Sequence, residues 1–193
     1  MSSTVLYMSM SLDGYIAGPD ESPDRLHEWV FPGAEGGDFA AAVARLRGVN
    51  RQVYDEMMST GAVVAGRGTF EPAGGWGGDH HDDVPIYILS RNPAPAWAAA
   101  WPAVHYLSDL GAAMRDAKQV AGDKNVLVHG AGIAPRALAA GLLDELEIHL
   151  VPVLFGEGRR LFEHLGPKQH ELERIRVLEG EGGVIHVRYR VRR

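Results

Sequence analysis

Short apolar runs alternate with stretches of helical periodicity along most of the chain. Apolar runs bounded by turn residues predict buried strands over about 5–10, 62–65, 85–89, 104–107 and 125–128. Between and after them, apolar residues at helical spacing predict helices over about 39–46, 52–58, 109–120 and 135–140. Asp38 and Ser108 are placed to cap the first and third of these helices, and Gly141 is placed to end the last.

The carboxyl-terminal third predicts consecutive strands. Residues 146–154 are strand-like, with Pro152 marking an edge or bulge. Over 184–191 the apolar residues at 185, 187, 189 and 191 alternate with His186, Arg188 and Arg190, which predicts a half-buried strand with its apolar side inward. The whole pattern predicts one α/β domain over 1–193, with a mostly parallel central sheet and antiparallel carboxyl-terminal strands.

Two long segments lack a clear period. Residues 18–37 contain prolines and acidic residues around a few apolar ones, which predicts a long loop with one helical turn at most. Residues 74–83 are rich in glycine, histidine and aspartate and are also expected to form a loop. Long ordered loops in compact domains often carry binding residues.

Composition excludes several classes of protein. The 193 residues are 46% hydrophobic and 23% charged, which is typical of a globular chain rather than a disordered one. The absence of cysteine excludes disulfides and thiolate metal sites, and the net charge of -6 argues against nucleic-acid binding. No apolar run reaches 18 residues and no signal peptide is apparent, so we expect a cytoplasmic protein without membrane contact.

Two predicted strands run directly into glycine-rich junctions. One is Val63-Val64-Ala65-Gly66-Arg67-Gly68-Thr69, and the other is Leu127-Val128-His129-Gly130-Ala131-Gly132. Glycines at the carboxyl end of a parallel strand let backbone N–H groups approach a phosphate, so both junctions could cradle one nucleotide. The alternative is that the glycines only allow tight turns. The dinucleotide fingerprint is not met, because its third glycine falls at Pro135, and no Walker motif is present.

Five segments in this order resemble the dihydrofolate reductase-like fold, and within it the carboxyl-terminal reductase domain of the bacterial riboflavin-biosynthesis deaminase–reductase. They are Met10–Ala17, Gly66–Phe70, Leu89-Ser90-Arg91, Val126–Gly132, and Leu142–Leu146 leading to Pro152–Gly156. The resemblance extends over about residues 5–162. It implies an NADPH-dependent reductase with the dihydrofolate reductase-like three-layer architecture.

The resemblance also implies which residues bind NADPH. Gly66, Arg67 and Thr69 would meet the cofactor's phosphates, and Ser90 and Arg91 the 2′-phosphate. Gly130, Ala131, Gly132 and Ile133 would hold the pyrophosphate and nicotinamide side, and backbone groups of Ala17 the carboxamide. At Arg91 the chemistry agrees, because a planar and permanently charged guanidinium suits a phosphate. No metal is expected, since neighbouring residues in His80-His81-Asp82-Asp83 point apart.

Substrate contacts are expected where the chain departs from that family. His129 stands where riboflavin-type reductases usually have Glu, and Tyr15 stands where they have Lys. His129 could donate a proton beside the nicotinamide or simply line the cavity. Asp13 is either a turn former before Gly14 or the acid at the pocket mouth, and Trp29 could stack on a planar substrate.

The function predicted from these features is hydride transfer from NADPH to a C=N-type bond of a small heterocyclic substrate. Reduction of 5-amino-6-(5-phosphoribosylamino)uracil is the closest named activity that the resemblance implies. A non-catalytic NADP-binding or sensing protein, or a pterin reductase of the dihydrofolate reductase type, remains an alternative. A homodimer is expected, because the carboxyl-terminal strands leave an edge for a second copy to cover.

Overall fold

The structure, a computed structural model, describes residues 2–20, 24–34 and 37–193. Its strands are β1 (Thr4–Ser11), β2 (Tyr15–Ala17), β3 (Ala62–Gly66), β4 (Ile86–Leu89), β5 (Val104–Leu107), β6 (Val126–His129), β7 (Glu145–Val151), β8 (Arg159–Arg160), β9 (Leu172–Glu179) and β10 (Ile185–Val191). Its helices are α1 (Asp24–His27), α2 (Phe39–Arg45), α3 (Gly48–Met58), α4 (Arg67–Phe70), α5 (Leu110–Ala121) and α6 (Ala134–Ala139). Two short 3₁₀ segments cover Gly74–Gly78 and Glu181–Gly183.

Eight of the strands form one sheet in the order β5-β4-β3-β6-β1-β7-β10-β9, and β2 pairs with β8 in a second, small sheet. The strands from β5 to β7 in that order run parallel, whereas β10 is antiparallel to both β7 and β9. The predicted α/β class, with a mostly parallel sheet and antiparallel carboxyl-terminal strands, is confirmed. All six parallel strands therefore end at the same edge of the sheet.

Apolar side chains cover both faces of the sheet. On one face the buried side of α5 and α6, including Met114 and Leu138, packs against Leu6 and Val128. On the other face Val5 and Leu127 pack with Phe70, and a neighbouring cluster joins Trp29 and Val53 to Val151. The fold is thus built in three layers, with the sheet in the middle.

Two predicted helix starts need correction. Asp109, not Ser108, caps α5, since its carboxylate accepts a hydrogen bond of 2.6 Å from the Ala112 N–H. Helix α3 begins at Gly48, four residues before the predicted start, because a distant segment supplies an acceptor for a backbone N–H of its first turn. Glu181 Oε2 accepts from the Asn50 N–H at 3.1 Å. The Asp38 cap of α2 is confirmed.

The carboxyl-terminal strands also differ from the prediction. Strand β7 ends at Val151, immediately before Pro152, which has no N–H for the ladder. In β10 the predicted apolar face is half-buried, with Tyr189 and Val191 packed against the core, but the polar side also faces the interior: His186 is fully buried, whereas Ile185 is 37% exposed. The reason is that Trp29 and Asn50 of α3 contact His186 and cover this side of β10. Strand β9, which the pattern did not predict, pairs with the outer edge of β10.

None of the described helices has the length and apolar character needed to cross a membrane.

Candidate functional site

The two glycine-rich junctions lie side by side at the carboxyl edge of the sheet. Strands β3 and β6 are direct neighbours, so Gly66 and Gly130 end adjacent strands. Gly130 has a φ of +99°, and a Cβ there would collide with the hydroxyl of Thr69. Only glycine therefore fits, because the first junction packs directly on the second. The backbone at Gly132 is exposed and open, in front of α6.

A basic cavity of about 590 Å³ opens at this edge beside β4 and β5. Its walls include Arg67, Ser90, Arg91, Asn92, Ser108 and Arg136. Arg67 is neutralised by Glu71, with its Nε 2.8 Å from the carboxylate. Arg91 and Arg136 are exposed, and within the described ranges neither forms an ion pair. The cavity thus presents two uncompensated cations and fits a dianionic group.

Ser90 and Arg91 of this cavity were predicted from the sequence, whereas Arg136 was not. The signal for Arg136 was its place directly after Pro135, in the first turn of a helix that follows a glycine junction. Ser108, a predicted helix cap, instead follows the end of β5 and lines the same cavity. Both residues lie at the strand edge where a nucleotide is expected.

Ser90 shapes the turn that carries Arg91. Its hydroxyl donates to the Asn92 carbonyl at 2.6 Å and accepts from the Asn92 N–H at 3.0 Å. A serine that closes its own turn in this way holds the intervening residue at the tip. The cofactor roles of Ser90, Arg91 and the other predicted binding residues remain predictions.

His129 ends β6 beside these groups, half-buried under aromatic side chains. Its ring centroid is 5.6 Å from that of His80 and 6.1 Å from that of Trp76. Burial lowers the pKa of His129 to about 4, so the imidazole is neutral near pH 7. It can form hydrogen bonds there, but it does not hold an extra proton to donate.

His80 and His81 are tied into the fold. His81 Nε2 is 3.0 Å from the Thr60 carbonyl, which can only accept, so this nitrogen carries the proton. The other nitrogen, Nδ1, lies 2.7 Å from His80 Nδ1 and accepts from it when the His81 ring is neutral. Across the described ranges no group of three or more His, Asp or Glu side chains is arranged to hold a metal ion.

Asp13 anchors the loop that follows β7. Its carboxylate accepts from the Ser11 hydroxyl at 2.6 Å, from the Gly156 N–H at 2.7 Å and from the Phe155 N–H at 3.2 Å. The Ser11 hydrogen bond and these N–H groups lower the pKa of Asp13 to about 2. An ionised, fully engaged carboxylate favours the turn-forming role over that of an acid at the pocket mouth.

Tyr15 and Ala17 lie in β2, under the loop after β7. The Tyr15 hydroxyl donates to the Gly156 carbonyl at 3.0 Å and accepts from Arg160 at 2.8 Å, while the Arg160 guanidinium lies 4.4 Å from the ring centre. A Cβ on Gly158 would collide with the Ala17 carbonyl. The hydroxyl and ring of Tyr15 are therefore already occupied by protein groups.

Trp29 forms part of the wall of a second cavity, of about 420 Å³, at the end of β7. Asn50, Val151 and Glu181 line the same space, with Arg45 and Arg47 also on its walls. The indole is only 8% exposed, and its N–H donates to the Ser9 hydroxyl at 2.8 Å. The predicted stacking residue is thus a fixed wall rather than a mobile ring.

A profile of the RibD C-terminal domain matches residues 3–185. A search of curated proteins found no match to this chain.

Solved structures share the fold at low sequence identity. A putative riboflavin biosynthesis protein from Shewanella sp. PV-4 superposes with a TM-score of 0.77 at 21% identity, over 99% of both chains. Dihydrofolate reductase from Enterococcus faecalis, complexed with NADP(H), gives 0.61 at 14% identity, over 99% of this chain and 97% of that one. A diaminohydroxyphosphoribosylaminopyrimidine deaminase/5-amino-6-(5-phosphoribosylamino)uracil reductase from Thermotoga maritima also gives 0.61 at 14%, and this chain spans only 57% of it. The predicted dihydrofolate reductase-like fold is confirmed.

Proposed function

The chain belongs to the RibD C-terminal domain family, and on that premise we propose that it is an NADPH-dependent reductase acting on a small heterocyclic acceptor. The observation that carries the proposal is the basic cavity, where Arg91 and Arg136 have no acidic partner among the described residues and lie at the same sheet edge as the two glycine junctions. NADP(H) has one group that distinguishes it from NAD(H), the 2′-phosphate, and this cavity supplies the charge to receive it.

The residues that would bind NADPH follow one another along the carboxyl edge of the sheet. Arg91 and Arg136 would bind the 2′-phosphate, and backbone N–H groups at the Gly66 and Gly130 junctions would meet the pyrophosphate. NADPH, when bound, supplies the hydride. The chain's part is to orient the nicotinamide toward the acceptor and to keep water away from it.

The acceptor is proposed to occupy the second cavity, against Trp29 and the end of β7. A planar heterocycle fits a wall formed by an indole and by Val151 and Val184. Reduction of a C=N bond takes one hydride to carbon and one proton to nitrogen. Because Asp13 is ionised and His129 is neutral near pH 7, we assign that proton to solvent, with His129 as a hydrogen-bonding group.

The experiment that tests the proposal uses NADPH deuterated at C4 of the nicotinamide together with 5-amino-6-(5-phosphoribosylamino)uracil. We expect loss of the reduced-nicotinamide absorbance and transfer of deuterium to the product, measured by mass spectrometry. Dihydrofolate serves as the second acceptor and tests the pterin reductase alternative. NADPH binding without transfer to either would favour a non-catalytic NADP-binding protein, and failure to bind NADPH would contradict both proposals.

A further inference from the structure

Three polar side chains form a row across the interior of the sheet, beneath Trp29. Strand pairing places Ser9 of β1 opposite His149 of β7, and His149 opposite His186 of β10. The Trp29 ring centroid lies 4.5 Å from that of His149 and 4.8 Å from that of His186. Both histidines are almost completely buried, at 2% and 0% exposure. Buried polar rings need partners, and three of the four ring nitrogens have one; His149 Nε2 has none among the described residues.

The hydrogen bonds in this row have only one consistent direction for neutral rings. Asn50 Nδ2 donates to the Trp29 carbonyl at 3.2 Å and to the Glu181 carbonyl at 3.1 Å. Asn50 Oδ1 is therefore the atom that faces His186 Nε2 at 3.0 Å, and it must accept. His186 Nε2 carries a proton, so its Nδ1 accepts from His149 Nδ1 at 2.9 Å.

Trp29 is held from three sides by these buried polar residues. Its carbonyl accepts from Asn50, its ring packs on both histidines, and its N–H donates to Ser9. Trp29 and Asn50 also line the second cavity, whereas neither histidine does. Loss of His186 would remove two buried hydrogen bonds and the ring beneath the indole without removing any group from the cavity wall.

We propose that His186 is a positioning residue for the second cavity: through His149 and Asn50 it fixes the Trp29 indole as the wall against which the acceptor binds. The identity of the ligand rests on the proposed reductase function. The positioning of Trp29 itself rests on the contacts that it makes with Asn50, His149 and His186.

Gly180 offers an independent way to perturb the hydrogen bond between Asn50 and His186. A Cβ at this residue would collide with Asn50 Oδ1 and would lie 2.7 Å from both His186 Nε2 and Val184 Cγ1. The backbone φ of Gly180 is -93°, which suits any residue, so Gly180→Ala acts only through this crowding. It disturbs the Asn50–His186 hydrogen bond without substituting either residue.

The test measures hydrogen exchange of the Trp29 indole N–H by NMR in protein labelled with ¹⁵N-tryptophan, with the resonance assigned from Trp29→Phe. His186→Leu removes both hydrogen bonds and should speed exchange on the order of tenfold. His186→Gln retains a donor nitrogen and an acceptor oxygen and should exchange more slowly than His186→Leu. Gly180→Ala should also speed exchange. Met114→Ala, in the core on the opposite face, controls for a general loss of stability.

Wild-type exchange in His186→Leu and Gly180→Ala, or equal acceleration in Met114→Ala, would overturn the positioning role. The kinetic readout is separate: His186→Leu should raise KM for the aminouracil ribotide and leave the Kd for NADPH unchanged. If neither of the acceptors tested supports oxidation of NADPH by the wild-type protein, the reductase proposal fails. The exchange data still decide whether His186 positions Trp29.

Discussion

The Nδ1 atoms of His149 and His186 lie 2.9 Å apart in the protein interior, so at neutral pH one of them carries a proton and the other accepts it. Desolvation disfavours a charge on either ring. It lowers the pKa of His186 to about 4 and that of His149 well below 6.5.

This pair predicts a loss of stability in weak acid. In the unfolded chain both histidines bind protons near pH 6.5, whereas the folded chain resists protonation. For His186 the resulting loss of the free energy of unfolding is absent above pH 6.5 and complete below about pH 4. His186 alone should lower the free energy of unfolding by about 2 kcal/mol between pH 7 and pH 5. Urea denaturation at both pH values measures it.

The variant His186→Gln should lose that part of the pH dependence, whatever its stability at pH 7. His105→Gln is the matched control, because His105 is exposed on β5. An unchanged pH dependence in His186→Gln would show that this ring is not the group that resists protonation.

Asp13→Asn tests whether the carboxylate is an anchor or an acid. The amide should weaken the hydrogen bonds to the N–H groups of Phe155 and Gly156 and lower the Tm, while the pH–rate profile keeps its shape. The stabilisation by an ionised Asp13 is present above pH 4 and is lost only as pH falls toward about 2. Disappearance of one limb of the pH–rate profile in Asp13→Asn would instead identify Asp13 as the proton donor.

His129→Ala should lower turnover and leave NADPH affinity nearly unchanged. The imidazole is neutral near pH 7, so it contributes a hydrogen bond rather than an acid, and we expect a loss of about tenfold. His129→Glu restores the residue expected in riboflavin-type reductases and should improve turnover of the aminouracil ribotide. Stopped-flow kinetics and fluorescence titration separate the two effects. A Kd for NADPH that rises as much as turnover falls would contradict this placement.

An apolar patch on the β9–β10 pair favours the predicted homodimer. Ile175 and Val177 of β9 are 40% and 46% exposed, and Val177 pairs with Val187 of β10. Strand β9 is also the last strand of the sheet, so its outer edge can receive a second copy. Light scattering should show a dimer that Val177→Glu dissociates. Val120→Glu, on the exposed side of α5, should stay dimeric, and a monomeric parent would contradict the expectation.

Local pattern predicted the parts of the fold that local sequence controls. The apolar runs of β1, β3, β4 and β6 are buried on both sides, and the glycines after β3 and β6 mark the edge where the two junctions meet. What the pattern could not reveal depends on distant partners. Glu181 caps α3 across 131 residues of chain, and the His186 side of β10 is an interior face because Trp29 and Asn50 cover it.

The candidate site shows the same division. Arg91 was predicted through the resemblance carried by Leu89-Ser90-Arg91, whereas Arg136 meets the same cavity only because α6 begins at the sheet edge where β4 and β5 also end. The inward position of His186 had no local signal, since alternation with valine and tyrosine indicates the opposite face.

Whether the basic cavity binds the 2′-phosphate is decided by the affinity of the protein for NADPH relative to NADH. Fluorescence titration measures it, with Arg91→Ala and Arg136→Ala beside the parent. The parent should bind NADPH at least tenfold more tightly than NADH. Each variant should lose about tenfold in NADPH affinity, because one charge-assisted contact to the 2′-phosphate is removed, and keep its NADH affinity. Arg115→Ala, an exposed arginine on α5 that does not line the cavity, is the control. Equal affinity for the two nucleotides, or NADPH binding that neither cavity variant weakens, would contradict the account.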